Sequence, residues 1–293
     1  MKPPPFSYHD PATLQQAVEL LGQLDNAKPL AGGQSLMPML NMRFVLPDHV
    51  VDLNGIAELS GISASADTLD IGAMTRQRDI EFSETVAWAC PILSEALTYV
   101  GHRQTRNRGT IGGSLCHLDP AAELPTIACV LDARIEVIGP NGLRTIPFAE
   151  FPAGYMMPSI EPDELVTRVS FPLWPREAGH SFVEFARRHG DFAIVSAAAM
   201  LVVDAMGVIT RAAVALGGVT AVPLRMPEVE QALVGHKATD ETFRAAAELC
   251  RAIEAVGDVY VPAAYRQHLA VVMARRALEQ AFARIGGASA KTH

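Results

Sequence analysis

The sequence predicts an α+β protein in two units that divide near residue 175. Three observations predict it. Short segments of strand periodicity alternate with helical ones as far as Phe171. A stretch from Pro172 to Gly179, holding two prolines, a tryptophan and a glycine, then breaks the pattern. Strand-like runs follow, and two long helical patterns close the chain. A length of 293 residues suits about two domains. With 49% hydrophobic and 19% charged residues, extensive disorder is excluded away from the ends.

The elements follow in order. Leu14, Ala17, Val18, Leu21 and Leu24 recur at helical spacing, which predicts a short amphipathic helix over 11–26, and Pro29 predicts a break after it. Pro38 argues against a helix directly behind Leu30-Ala-Gly-Gly-Gln-Ser-Leu36. Val50 to Leu53, Leu59 to Ile62 and Thr68 to Ala73 read as strands. Residues 80–99 change to a helical period with an interruption at Pro91, and Ala121 to Leu131 is helical. Arg134 to Ile138 and Leu143 to Ile146 form strands around a turn at Gly139-Pro-Asn-Gly142. Leu165 to Phe171 is a further strand.

Beyond the division, residues 181–188 and 209–216 read as strands, and 194–204 as a buried strand or a short apolar helix. Residues 238–256 and 265–285 are helices of a smaller α+β domain. Gly286 to His293 is expected to be a flexible tail, and the two expected units are 1–175 and 176–293.

Several function classes are excluded at once. The formal charge of -8 gives nucleic-acid binding no global electrostatic support. No apolar run reaches the roughly 20 residues of a membrane span. The amino terminus lacks a secretory apolar segment, so a cytoplasmic chain is expected. Cys90, Cys116, Cys129 and Cys250 show no paired spacing, and His102 and His117 lack companions, so no metal site is expected. Cys116 reads as a packed thiol, and no acid-base triad is evident, so no catalytic side chain is assigned.

Two glycine elements carry the chemistry. Ala31, Gly32, Gly33, Gln34, Ser35 and Leu36 combine a double-glycine turn with a hydroxyl, a combination able to present backbone N–H groups to a phosphate. Thr110, Ile111, Gly112, Gly113 and Ser114 repeat that character after a basic cluster of Arg103, Arg106 and Arg108. Two converging phosphate loops and two unrelated structural turns would both look like this. Neither is a P-loop, and the glycine fingerprint of a nicotinamide-binding Rossmann unit is missing.

Together with Asp119-Pro-Ala-Ala-Glu-Leu-Pro125, Arg187, Asp191-Phe-Ala-Ile-Val195, Ala215-Leu-Gly-Gly-Val219, Pro223-Leu-Arg225 and Tyr265-Arg266, these elements resemble the FAD-binding medium subunit of molybdenum hydroxylases. That family includes the flavoproteins of xanthine dehydrogenase and aerobic carbon monoxide dehydrogenase. The resemblance implies a two-lobed FAD-binding domain over 1–175 and the family's flavoprotein C-terminal domain after it. It assigns residues 31–36 and 110–114 to the FAD diphosphate, and Asp119 to the ribityl or adenosine side. Arg187 and Asp191 support the isoalloxazine or else stabilise the domain interface.

By the same resemblance the chain is an electron-transfer subunit. A large partner subunit carries a molybdenum-pterin cofactor and oxidises substrate, and a small one carries two [2Fe-2S] clusters. FAD passes the electrons to an external acceptor, in a dimer of heterotrimers that is cytoplasmic or held at the inner membrane face. Two alternatives stay open. An independent FAD oxidoreductase would reduce its flavin with a small molecule directly, and a non-catalytic assembly subunit would hold no stoichiometric flavin.

Overall fold

The computed structural model describes residues 2–285, so the expected tail at 286–293 lies outside the described residues. The first lobe consists of β1 (Ser7–His9), α1 (Leu14–Gln23), β2 (Ala27–Leu30), α2 (Leu36–Met42) and β3 (His49–Asp52). Its strands form a parallel sheet in the order β1-β3-β2. Helix α1 starts where the Thr13 hydroxyl accepts the Gln16 N–H, and it buries Ala17, Val18 and Leu21 against Val51, Leu53 and Ile56. Two expectations fail here. Pro29 lies inside β2, which tolerates it because β2 is an edge strand. Pro38 lies inside α2 at its third position, where a missing N–H breaks no intrahelical bond.

The second lobe runs through β4 (Ile62–Ala64), β5 (Thr68–Gly72), α3 (Gln77–Glu81), α4 (Glu84–Ala89), α5 (Pro91–Leu97), α6 (Arg103–Arg108), α7 (Ile111–His117) and α8 (Glu123–Val130). It continues with β6 (Arg134–Gly139), β7 (Gly142–Pro147), β8 (Pro152–Gly154), β9 (Met157–Pro158) and β10 (Leu165–Pro172). A five-stranded antiparallel sheet has the order β4-β5-β10-β6-β7, and β8 and β9 pair separately. The helical pattern over 80–99 is divided among three helices. Ser83 caps α4 by accepting the Val86 N–H, and Pro91 opens α5 at the position that suits it. The turn expected at 110–114 is instead the start of α7, capped by Thr110.

The last part has an antiparallel sheet of β11 (Gly179–Phe185), β12 (Val195–Val203), β13 (Ile209–Gly217) and β14 (Leu224–Arg225), in that order. Helices α9 (Pro227–Leu233), α10 (Asp240–Glu248) and α11 (Ala263–Ala283) follow. One face of the sheet sends Phe182, Ala198, Met200, Ala213 and Ala215 into the same core as α5 and α8. The other sends Val183, Val195, Ala197 and Leu216 against Leu269, Ala274 and Leu278 of α11. Burial on both faces explains the apolar-rich run at 195–203, interrupted only by Ser196, which is a strand. The pattern expected to be helical over 238–256 shortens to α10 and a single tight turn at Leu249–Ala252.

Candidate functional site

Between the two lobes, bounded also by the loop that joins β11 to β12, lies a cavity of about 720 Å³, within the range of small-molecule and cofactor sites. The first glycine element forms one wall. A run of N–H groups from Gly32 through Leu36 takes part in no hydrogen bond among the described residues, although the Gly33 and Ser35 carbonyls accept from Met37 and Met39. Gly33 sits at φ +71, and the chain turns there into α2. Consecutive free amides around such a turn attract an anion. Ser35 leaves its hydroxyl uncommitted, and the Gln34 side-chain amide donates to the Gly32 carbonyl at 3.3 Å.

The second element faces it and is bonded differently. Ile111 N–H donates to Thr75, Gly112 N–H to Ala73, Gly113 N–H to the Thr110 hydroxyl at 3.0 Å, and Ser114 N–H to the Thr110 carbonyl. Its amides are therefore occupied, and what it offers the cavity is a close-fitting surface. The two elements touch: a Cβ on Gly32 would collide with the Arg108 carbonyl and lie 2.8 Å from Gly109 Cα. Behind them, Arg76 donates to the Arg108 carbonyl at 2.6 Å and to Asn54 Oδ1 at 2.5 Å, and Asn54 donates to the Ala31 carbonyl at 3.0 Å. Asn54 and Arg76 thus fasten one element to the other from outside the cavity.

Of the sequence-derived candidates, Ala31, Gly32, Gly33, Gln34, Ser35, Leu36, Thr110, Gly112, Gly113, Ser114, Asp119 and Asp191 line the cavity. Two do not. Ile111 points into the core, and the Arg187 guanidinium lies over the Tyr260 ring at 4.5 Å. Asp119 also holds its own loop, accepting the Ala121 N–H at 2.9 Å. The basic cluster splits: Arg106 turns inward to Glu81 at 2.7 Å, while Arg103 and Arg108 stay exposed. Burial pushes the Cys116 thiol up to about 12, which removes its nucleophilic form, and burial lowers His117 against the opposing charge of Asp119.

The structure adds residues that the sequence reading passed over. Lys28, Gln77, Glu123 and Phe192 line the cavity, as does the segment from Met156 to Pro158. Gln77 is buried with its Oε1 unpartnered. Glu123 is 4% exposed, and burial raises its carboxyl to about 7. A signal for Glu123 existed, because an acid directly ahead of the apolar run at 124–128 marks a helix start. Nothing local distinguishes Gln77.

This donor set fits a flavin dinucleotide. Open amides and a free hydroxyl suit a diphosphate, while Met39, Met74, Ile160 and Phe192 supply apolar wall for a ring system. Residues 4–174 match the family described as the FAD binding domain in molybdopterin dehydrogenase. This chain belongs to that family. Residues 180–281 match the CO dehydrogenase flavoprotein C-terminal domain. The chain is 40% identical over 286 residues to the 6-hydroxypseudooxynicotine dehydrogenase complex subunit alpha of Paenarthrobacter nicotinovorans, covering 97% of each. It is 37% identical to the carbon monoxide dehydrogenase medium chain of Hydrogenophaga pseudoflava, over 97% of this chain and 99% of that one. A solved carbon monoxide dehydrogenase from the same organism, lacking the Mo-pyranopterin moiety of its cofactor, superposes with a TM-score of 0.94 at 38% identity, covering 97% of this chain and 100% of its own. Among the described residues of this molybdopterin-dehydrogenase flavoprotein, no helix is long and apolar enough to cross a membrane.

Proposed function

We propose that the chain is the FAD-binding electron-transfer subunit of a molybdenum hydroxylase complex. The observation that carries this reading is the run of open amides from Gly32 to Leu36 at the wall of a cavity large enough for the cofactor. Those amides and Ser35 hold the diphosphate. Ser114 approaches it from the facing helix, and Asp119 and Asp191 contact the sugar and ring portions. The unit over 1–175 carries the cradle, and 176–293 closes it. Bound there, FAD supplies the redox chemistry that links iron–sulfur clusters to an external acceptor. The chain's own residues bind it, orient it and exclude water around it.

The partners in this reading are a large subunit with a molybdenum-pterin cofactor and a small subunit with two [2Fe-2S] clusters. They assemble as a dimer of heterotrimers in the cytoplasm or at the inner membrane face. The relatives' names include both a nicotine-derived substrate and carbon monoxide, so substrate choice belongs to the large subunit. Flavin identity and stoichiometry in the purified native assembly test the proposal. Close to one FAD per chain is expected. Its absence overturns the cradle, and reduction of the isolated chain's flavin by a small-molecule substrate would support an independent oxidoreductase instead.

A further inference from the structure

Beside the cavity, the last sheet carries a polar row where the surrounding core is apolar. Glu184 on β11, Ser196 on β12 and Gly217 on β13 stand in one row across the antiparallel register. Alternation along the strands places this row on the face that carries Phe182, Ala198 and Ala215 toward α5 and α8. Helix α8 descends on the row so closely that a Cβ on Gly217 would collide with Thr126 Oγ1 and lie 2.5 Å from Ser196 Oγ. Glu123 lies three residues before Thr126 on α8, buried and at the cavity wall. In this layer Glu184 Oε2 and Ser196 Oγ are both buried without a hydrogen-bond partner. Glu184 is half-buried, and a carboxylate oxygen enclosed without a partner loses hydration and gains nothing, whereas an un-ionised carboxyl offers a donor as well as an acceptor.

We propose that Glu123, at the cavity wall, and Glu184 behind it form a proton-holding carboxyl pair, and that filling the cavity with a diphosphate-bearing flavin is coupled to uptake of one proton by that pair. The inference rests on the FAD reading above. The proton comes from solvent, and no bond of the flavin changes.

The electrostatics agree with the packing. Burial raises Glu123 to about 7, with Asp119 adding to the effect and Arg106 opposing it. Burial raises Glu184 to about 8, and the charge of Glu123 adds to that. Neighbouring cations are already engaged, Arg106 with Glu81 and Arg284 with Glu95, both at 2.7 Å. Also titratable nearby are His117 beside Asp119, and Tyr99 just beyond α5, whose hydroxyl is raised by burial and by Glu95 and Glu184. Two like charges that act on one another do not ionise independently, so the pair gives up its protons in separate steps. A flavin lying over Glu123 removes its remaining water and adds phosphate charge. Both changes favour the protonated form.

The sign follows from linkage. Where the empty pair is already protonated, FAD affinity is flat with pH. Above that titration each binding event takes up a proton, and the dissociation constant rises by about tenfold per pH unit. The test is calorimetric titration of the full chain, freed of flavin, with FAD in buffers of different ionisation enthalpy, from below the Glu123 titration to above that of Glu184. About one proton taken up per FAD on the alkaline side is expected. The double variant Glu123→Gln, Glu184→Gln should bind FAD with no uptake and a flat profile. An infrared band of an un-ionised carboxyl at neutral pH, weakened in Glu184→Gln, reads the pair without any ligand.

FAD bound with no proton uptake in the unaltered chain overturns the pair and leaves the cofactor reading standing. Uptake that persists in the double variant belongs to another group, such as His117, and also overturns it. A folded chain that binds no FAD at any pH overturns both.

Discussion

The two glycine elements are near-copies in sequence and opposites in chemistry. Residues 32–36 leave the cavity an uninterrupted run of N–H groups, whereas residues 111–114 have donated theirs to Thr75, Ala73 and Thr110. The reason lies in what runs alongside. The second element passes the segment that follows β5, whose carbonyls at Ala73 and Thr75 accept its amides. The first leaves an edge strand and turns into α2, and none of its amides meets an acceptor among the described residues. A pair of glycines followed by a hydroxyl is therefore an anion site only where its amides have no other acceptor.

The largest effect should come from driving the two elements apart. Gly32→Val places side-chain atoms against the Arg108 carbonyl, which belongs to the backbone and cannot step aside. It should cost about 1–3 kcal/mol of stability and abolish FAD retention. Denaturant midpoints and flavin content of the purified chain check both.

A smaller, separable effect is expected from Thr110→Ala. The cap is lost and the Gly113 N–H is freed, so stability should fall by about 0.5–2 kcal/mol while FAD affinity changes less than stability. Thr110→Ser should restore the midpoint. A loss of FAD affinity larger than the loss of stability would mean that the second element binds through Thr110 itself, and the contrast between the elements would fail.

The smallest effect concerns the hydroxyls. Ser35→Ala and Ser114→Ala should each weaken FAD binding by about 0.5–1.5 kcal/mol without moving the thermal midpoint of the flavin-free chain. Equilibrium titration of flavin fluorescence measures this. If Ser114→Ala has the larger effect, the second element contributes a polar contact greater than its occupied amides suggest.

Much of the fold is legible because its signals are local. Leu14 to Leu21 carry a helical stripe and Thr13 a cap, the hairpin of β6 and β7 has its turn residues, and α11 spans 21 residues of continuous helical pattern. Errors cluster where a tertiary circumstance excuses a rule. Pro29 is allowed by the edge position of β2, and Pro38 by its place in the first turn of α2. Residues 110–114 become helix because Thr110 finds the Gly113 N–H and the segment after β5 accepts the preceding amides.

By itself the sequence determined the α+β class, the order of most elements, and the two glycine elements with their hydroxyls. Periodicity, caps and turn residues act over a few neighbours, and those neighbours are printed in the chain. Only the tertiary structure decided which amides stay open, that Arg187 stacks on Tyr260 outside the cavity, and that Asn54 and Arg76 bind the lobes' loops together. It also decided that Glu123 and the Oε2 of Glu184, 61 positions apart, are both buried. Hydrogen-bond occupancy and desolvation depend on what comes to lie opposite a group in space, and spacing along the chain does not encode that.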